Sequence, residues 1–232
     1  MNFFFDAIAW ILDPAHIGGP SGIVARLGEH VFYTVLAVAC AAVIAIPLGL
    51  YIGHTGRGRV VAVAITGALR ALPTLGLVTL FALLMGVGLV APITALTILA
   101  IPPLLAGAYA GVESIDRRTI DAARSVGMTE WQIVRKVEIP LAGPLMFGGF
   151  RSAFLQVVAT ATVAAYTPLG GLGRFIFDGL PVRDYAQMNA GALLVIALAL
   201  VADAVFAIAF KLFQPKGVAL SRERTGATKA TR

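Results

Sequence analysis

The sequence predicts an all-α, polytopic membrane protein with five transmembrane helices and a charged helical insert between the third and the fourth. Three observations carry that expectation. The chain is 59% hydrophobic and 13% charged, with a mean hydropathy of +0.88, whereas soluble domains are far more polar. Its apolar residues gather into five runs, each near the roughly 20 residues that a helix needs to cross a bilayer. Its arginines and lysines sit in short loops and a tail beside those runs, where they act as orientation signals. The basic excess is therefore not arranged for nucleic acid.

The elements follow in order. Residues 1–26 read as an N-terminal arm. It lacks the basic start of a signal peptide, and Asp6, Asp13 and Pro14 interrupt it. Phe3, Phe4, Ile8, Trp10 and Ile11 can share one apolar face lying in the membrane interface. A frayed end that tolerates aromatics is the plainer alternative. The transmembrane domain is expected over 27–215, with spans at about 31–53, 60–85, 89–111, 141–166 and 188–213. Pro47, Pro73, Pro102 and Pro103 fall within or near them, where proline often marks a kink. Residues 216–232 form a basic tail.

Charge sets the orientation. Arg57 and Arg59 follow the first span, Arg117, Arg118, Arg124, Arg135 and Lys136 follow the third, and Lys211, Lys216, Arg222, Arg224, Lys229 and Arg232 follow or end the fifth. Five spans place all three groups on one side, which is then the cytoplasm. The other side has Arg26, Arg174 and Arg183, the last two offset by Asp178 and Asp184. The N-terminus is thus expected outside and the C-terminus inside. Cys40 is the only cysteine, so neither an intrachain disulfide nor a cysteine-cluster metal site is possible. His16, His30 and His54 are scattered near segment ends and read as interfacial residues, not metal ligands.

The insert, DAARSVGMTEWQIVRKVEIP at 121–140, is the most informative stretch. Asp116 can cap a first short helix that stops at Gly127. Thr129 and Gln132 have capping-box spacing for a second, expected to end at Pro140. Ile120, Ala123, Trp131 and Val134 could anchor such a knob in the groove of a soluble partner. An ordinary solvated loop is the bland alternative.

At this point a resemblance can be named. Asp121, Ala122, Ala123, Gly127, Val137, Ile139 and Pro140 stand at the spacing of the EAA loop of ABC importer permeases, with Asp for Glu, Val for Ile and Ile for Leu. The chain resembles the type I permease domain of a binding-protein-dependent importer from Leu27 to about Pro215. The stretches RLGEHVFYT, IPLGLYIGHTGRGR, ALRALPTLGL, AIPPLLAGAYAGV and ATATVAAYTPLGGLGRFIFDGL are similar to those of the osmoprotectant uptake group. Members move glycine betaine, choline, carnitine or proline; methionine permeases share much of the architecture. The resemblance implies that the loop supplies coupling helices seated in a cleft on an ATPase. It also implies two ATP-binding subunits, a second permease, identical or homologous, and an extracytoplasmic solute-binding protein. The chain itself is expected to bind no cofactor, with ATP and Mg used by the partner ATPase, and to be no enzyme.

The remaining features keep two readings each. The chain has no G-x-x-x-x-G-K-[ST] phosphate loop. Gly170, Gly171 and Gly173 read as a tight outward turn in preference to a gate. Arg70 and Asp203 lie inside predicted spans, where charge is costly. They mark either a function or a pairing within the bundle or near a subunit interface. Thr160, Thr162 and Tyr166 line a possible pore or gate, or serve small-residue packing. Gly49/Gly53 and Gly107/Gly111 have GxxxG spacing and are assigned to packing. An ion-coupled secondary transporter is the competing class, but it would call for paired intramembrane carboxylates in broken helices. A membrane enzyme has no paired His/Asp constellation to support it.

Overall fold

A computed structural model describes residues 3–213. The basic tail therefore lies outside the described residues. The described chain is helical: α1 (Phe3–Leu12), α2 (Pro14–Ile17), α3 (Ile23–Thr55), α4 (Arg59–Arg70), α5 (Thr74–Met85) and α6 (Val90–Glu113) come first. Then follow α7 (Arg117–Ser125), α8 (Glu130–Ile133), a π-helical turn (Val134–Glu138) and α9 (Ile139–Thr160). A 3-10 turn (Ala161–Tyr166), α10 (Gly173–Val182) and α11 (Tyr185–Phe213) complete it. Among the described residues, four continuous helical stretches are long and apolar enough to cross a membrane, or five if the bent pair α4–α5 is one span.

That pair corrects the second expected span. The 60–85 run is not one straight helix but two, meeting at 91°. Pro73 offers no N–H to continue α4, and its own extended backbone, ψ 121, restarts the chain as the N-cap of α5. The first span also begins earlier than expected. Residues 23–30 carry Arg26, Glu29 and His30 and lie ahead of the expected span, yet α3 starts at Ile23, where a distant turn satisfies Glu29 and His30.

The packing runs through α6, which lies against α3 on one side and α9 on the other. Glycine permits both contacts. A Cβ on Gly49 would stand 2.6 Å from the Ala108 Cβ, and one on Gly53 2.6 Å from the Val112 Cβ. On the other face Gly107 meets the Gly149 backbone and Gly111 meets Ala142. Both GxxxG pairs thus act in helix packing, where close backbone approach replaces the hydrophobic drive that lipid cannot supply. Ala37, Val38, Ala41, Ala45, Leu96 and Ala100 fill the core between them. The arm is helical, not frayed: α1 packs on α11, with Ala7 buried and Phe4 exposed. Trp10 does not face outward alone; it stacks on His16 and meets Phe175 edge-on.

Candidate functional site

The insert folds as two short helices held by a glycine turn. The Asp116 carboxylate accepts from the Arg118 N–H at 2.9 Å and caps α7. Gly127 has φ +85, a left-handed backbone that glycine adopts at little cost. Around it the Met128 N–H reaches the Ala123 carbonyl and the Gly127 N–H reaches that of Arg124, the paired bonds of a Schellman motif. Thr129 and Gln132 close a reciprocal capping box on α8. Both caps and the glycine stand where the sequence places them.

Two expectations about the insert are corrected. Pro140 does not end the second helix. The chain passes from α8 through the π-helical turn, with the Ile139 N–H on the Val134 carbonyl, and Pro140 sits in the first turn of α9. The widened turn shifts the hydrogen-bond register, so the missing proline N–H costs little. Secondly, Ile120 and Ala123 face into the insert itself. They are buried with Ile133, and Ile115, Met128 and Val137 pack around them. Their i, i+3 spacing aims both at α8 and ties the two short helices together. The apolar groups left facing outward are Val126 and Trp131, 78% and 69% exposed, with Val134 half-buried. Of the other motif residues, Asp121, Ala122 and Pro140 are exposed and Ile139 is half-buried.

A polar clasp, missed in the sequence, joins the insert to the spans. Arg124 donates to Glu130 from Nε at 2.9 Å and from Nη2 at 3.1 Å. Those bonds hold the Glu130 carboxyl below the usual carboxylate range. His54 corrects its interfacial reading: its Nδ1 lies 2.9 Å from Glu138, and its Nε2 lies 3.2 Å from Glu130. No local signal announces these partners, because His54 and Glu138 are 84 residues apart.

At the opposite end of the bundle the glycine turn folds over the start of α3. The Gly171 N–H donates to Glu29 at 2.7 Å, and Arg26 holds the same carboxylate oxygen at 3.0 Å. His30 is fully buried, not interfacial. Its Nε2 donates to the Val158 carbonyl at 2.9 Å, and its Nδ1 accepts from the Leu172 N–H at 3.3 Å. A side chain at Gly170 would collide with Glu29, and one at Gly173 with the Thr162 backbone. The tight-turn reading therefore fits, and the turn is clamped. Beside it a cavity of about 440 Å³ is lined by Arg26, Glu29, Tyr33, Leu169, Arg174 and Asp178 among others. Thr160 and Thr162 return their hydroxyls to the Gln156 and Ala159 carbonyls, and Tyr166 is exposed with its ring edge-on to Phe177.

The two intramembrane charges separate. Arg70 is exposed at the end of α4, at the bend, not within a continuous span. Asp203 pairs within the bundle: Arg151 reaches it from Nε at 2.7 Å and Nη2 at 2.6 Å. Rings of Phe147, Phe150, Phe154, Phe206 and Phe210 brace α9 on α11 around that pair. Arg151 was readable as an intramembrane charge from its place in the 141–166 run.

Residues 45–217 match the family of binding-protein-dependent transport system inner membrane components. The chain belongs to this family. It is a permease of the ABC importers, a multi-pass inner-membrane component, and the ion-coupled secondary transporter reading falls away. The permease is 32% identical to the glycine betaine/carnitine/choline transport system permease protein OpuCB of Bacillus subtilis, over 83% of this chain and 89% of that one. It is 32% identical to the osmoprotectant import permease protein OsmW of Salmonella typhimurium, over 92% and 99%. Its fold is similar to that of a chain of the methionine ABC transporter MetNI, solved in inward-facing conformations, with TM-score 0.73 and 22% identity over 90% of this chain and 98% of that one.

Proposed function

We propose that this permease imports a small compatible solute, such as glycine betaine, choline, carnitine or proline, as half of a pore. The observation that carries the reading is the OsmW match, which spans 99% of that osmoprotectant permease. A second permease completes the pathway, a solute-binding protein delivers solute outside, and two ATP-binding subunits dock on the insert inside. The partner ATPase uses ATP and Mg. When ATP closes the ATPase dimer, the inserts move with it and the spans rock outward-open; hydrolysis resets them. Only the ATPase's differential grip on the two states can drive that exchange.

Deletion of the permease is expected to reduce uptake of at least one of the four labelled solutes at high osmolarity. A loss confined to methionine would overturn the solute class and leave the permease standing. Orientation has its own test. In a Cys40→Ala background, Ser21→Cys is expected to label on intact cells with an impermeant thiol reagent, and Thr228→Cys is not. The reverse pattern would invert the topology.

Val126 and Trp131 are the anchors that the folded insert offers to the ATPase. Trp131→Ala is expected to weaken co-purification of the ATPase about tenfold or more, the effect of losing an aromatic hot spot, with membrane abundance unchanged. Full co-purification in Trp131→Ala combined with Val126→Ser would remove this face from the interface.

A further inference from the structure

One buried carboxylate in the permease has no role in the family motif. Glu138 closes the π-helical turn and is 2% exposed. Among the described residues its side-chain hydrogen-bond partner is His54, whose Nδ1 lies 2.9 Å from both carboxylate oxygens. The other ring nitrogen faces Glu130 at 3.2 Å, and Glu130 is itself gripped by Arg124. A single side-chain path therefore runs from the π-helical turn at the start of α9 through the last turn of α3 to α8 and on to α7. The imidazole thus stands between the two carboxylates, with one at each ring nitrogen. Burial makes the Glu138 contact the strong link, since a buried carboxylate stripped of its partner is costly. Exposure makes the Glu130 contact the weak one: its side chain is 55% exposed and screened. The tie therefore has one firm end, at Glu138, and one yielding end, at Glu130.

The other charged groups at this end are otherwise engaged or turned away. Arg59 pairs with Glu113 across the ends of α4 and α6. Arg117 lines a small cavity with Gly53, Gly56 and Tyr109. Arg135 and Lys136 leave the same π-helical turn exposed. The π-helical turn itself is the local irregularity that aims Glu138 at His54, and such turns recur at functional positions.

We infer that His54 is a positioning residue for coupling: through Glu138 and Glu130 it carries movement of the ATPase-docked insert into the first and fourth spans. The inference rests on the proposal that the insert engages the ATPase. It assigns His54 no contact with solute or nucleotide.

The test uses the whole transporter, with its ATPase and binding protein, in proteoliposomes fed the labelled solute that the wild type takes up. ATP hydrolysis and uptake are read together. His54→Ala and Glu138→Gln are each expected to keep the ATPase bound and hydrolysing. Solute moved per ATP should fall about tenfold, a usual size for coupling between sites. The double variant should be no worse than either single, because both cut one path. If His54→Ala fails to accumulate, His54→Gln decides; its amide can donate to Glu138 but has no second donor group for Glu130. Unchanged uptake per ATP in the variant that accumulates would overturn the inference. So would a proportional fall in uptake, hydrolysis and abundance, or single effects that multiply in the double. Loss of the docking reading is distinguishable, because it shows as intact co-purification in the Trp131 and Val126 variants whatever His54 does.

Discussion

Ala123→Asp is expected to strip the ATPase from the permease and abolish uptake while the permease stays in the membrane. The side chain at this position is 8% exposed and packs with Ile120 and Ile133 in the small core of the insert. Each fully buried aliphatic there contributes about 1.5–3 kcal/mol. A polar group forced into such a core without a partner costs about 2–7 kcal/mol, and a charge costs more. That penalty matches or exceeds what holds α7 on α8, so the two short helices separate and the outward face carrying Val126 and Trp131 is lost. Gly127→Val acts less severely on the same unit. A left-handed backbone costs an L residue about 1–2 kcal/mol, and nothing else within 4 Å of a Cβ there obstructs it. Arg124→Gln removes exposed bonds to Glu130 and is expected to be milder still. Co-purified ATPase, uptake and membrane abundance should therefore rank Ala123→Asp below Gly127→Val below Arg124→Gln on the first two and leave the third level. Normal ATPase binding in Ala123→Asp would show that the cluster does not shape the docking face.

The local chemistry of the insert was legible because it is written in adjacent residues. Asp116, Gly127 and the Thr129/Gln132 box each act within a turn of themselves, so spacing alone locates them. The direction in which Ala123 points was not legible. It depends on Ile133 and Val137 arriving from the far side of the turn, and an apolar side chain at helical spacing reads the same whether it meets its own chain or a partner. Pro140 misled for a related reason. Proline ends a regular α-helix, but the π-helical turn before it had already shifted the hydrogen-bond register.

The spans divide along the same line. Their apolar runs are continuous in sequence, and the kink at Pro73 follows from the proline itself. The sequence alone does not name the partners of the polar residues in and around them, because those partners are distant: Glu29 meets Gly171 across 142 residues, and Asp203, for which a pairing within the bundle is one of the two readings, meets Arg151 across 52. The expected start of the first span near residue 31 therefore falls too late: Arg26 is placed in the arm, and Glu29 and His30 are left ahead of the span. What decides such a boundary is whether the folded chain supplies partners, not the presence of charge.

Close helix contact, by contrast, leaves a direct trace in glycine spacing, and there the second large effect is expected. Gly107→Val should yield little folded permease, with a marked loss of membrane abundance and of thermal stability in detergent. A Cβ at Gly107 would lie 2.8 Å from the Gly149 Cα, 3.0 Å from the Leu145 carbonyl oxygen and 3.2 Å from the Gly149 N. All three are backbone atoms, so no side chain can rotate away. The α9 backbone has no slack either, because a Cβ on Gly149 would in turn stand 2.7 Å from the Pro103 carbonyl oxygen. Overpacking a core that can adjust costs about 1–3 kcal/mol. Here α6 and α9 must separate instead, which forfeits dispersion along the whole contact, the main force between helices in lipid. Gly143→Ala, on the same α9 with nothing within 4 Å of its Cβ, is the contrast and should accumulate normally. Wild-type abundance and melting in Gly107→Val would mean that α6 and α9 do not meet through this glycine pair.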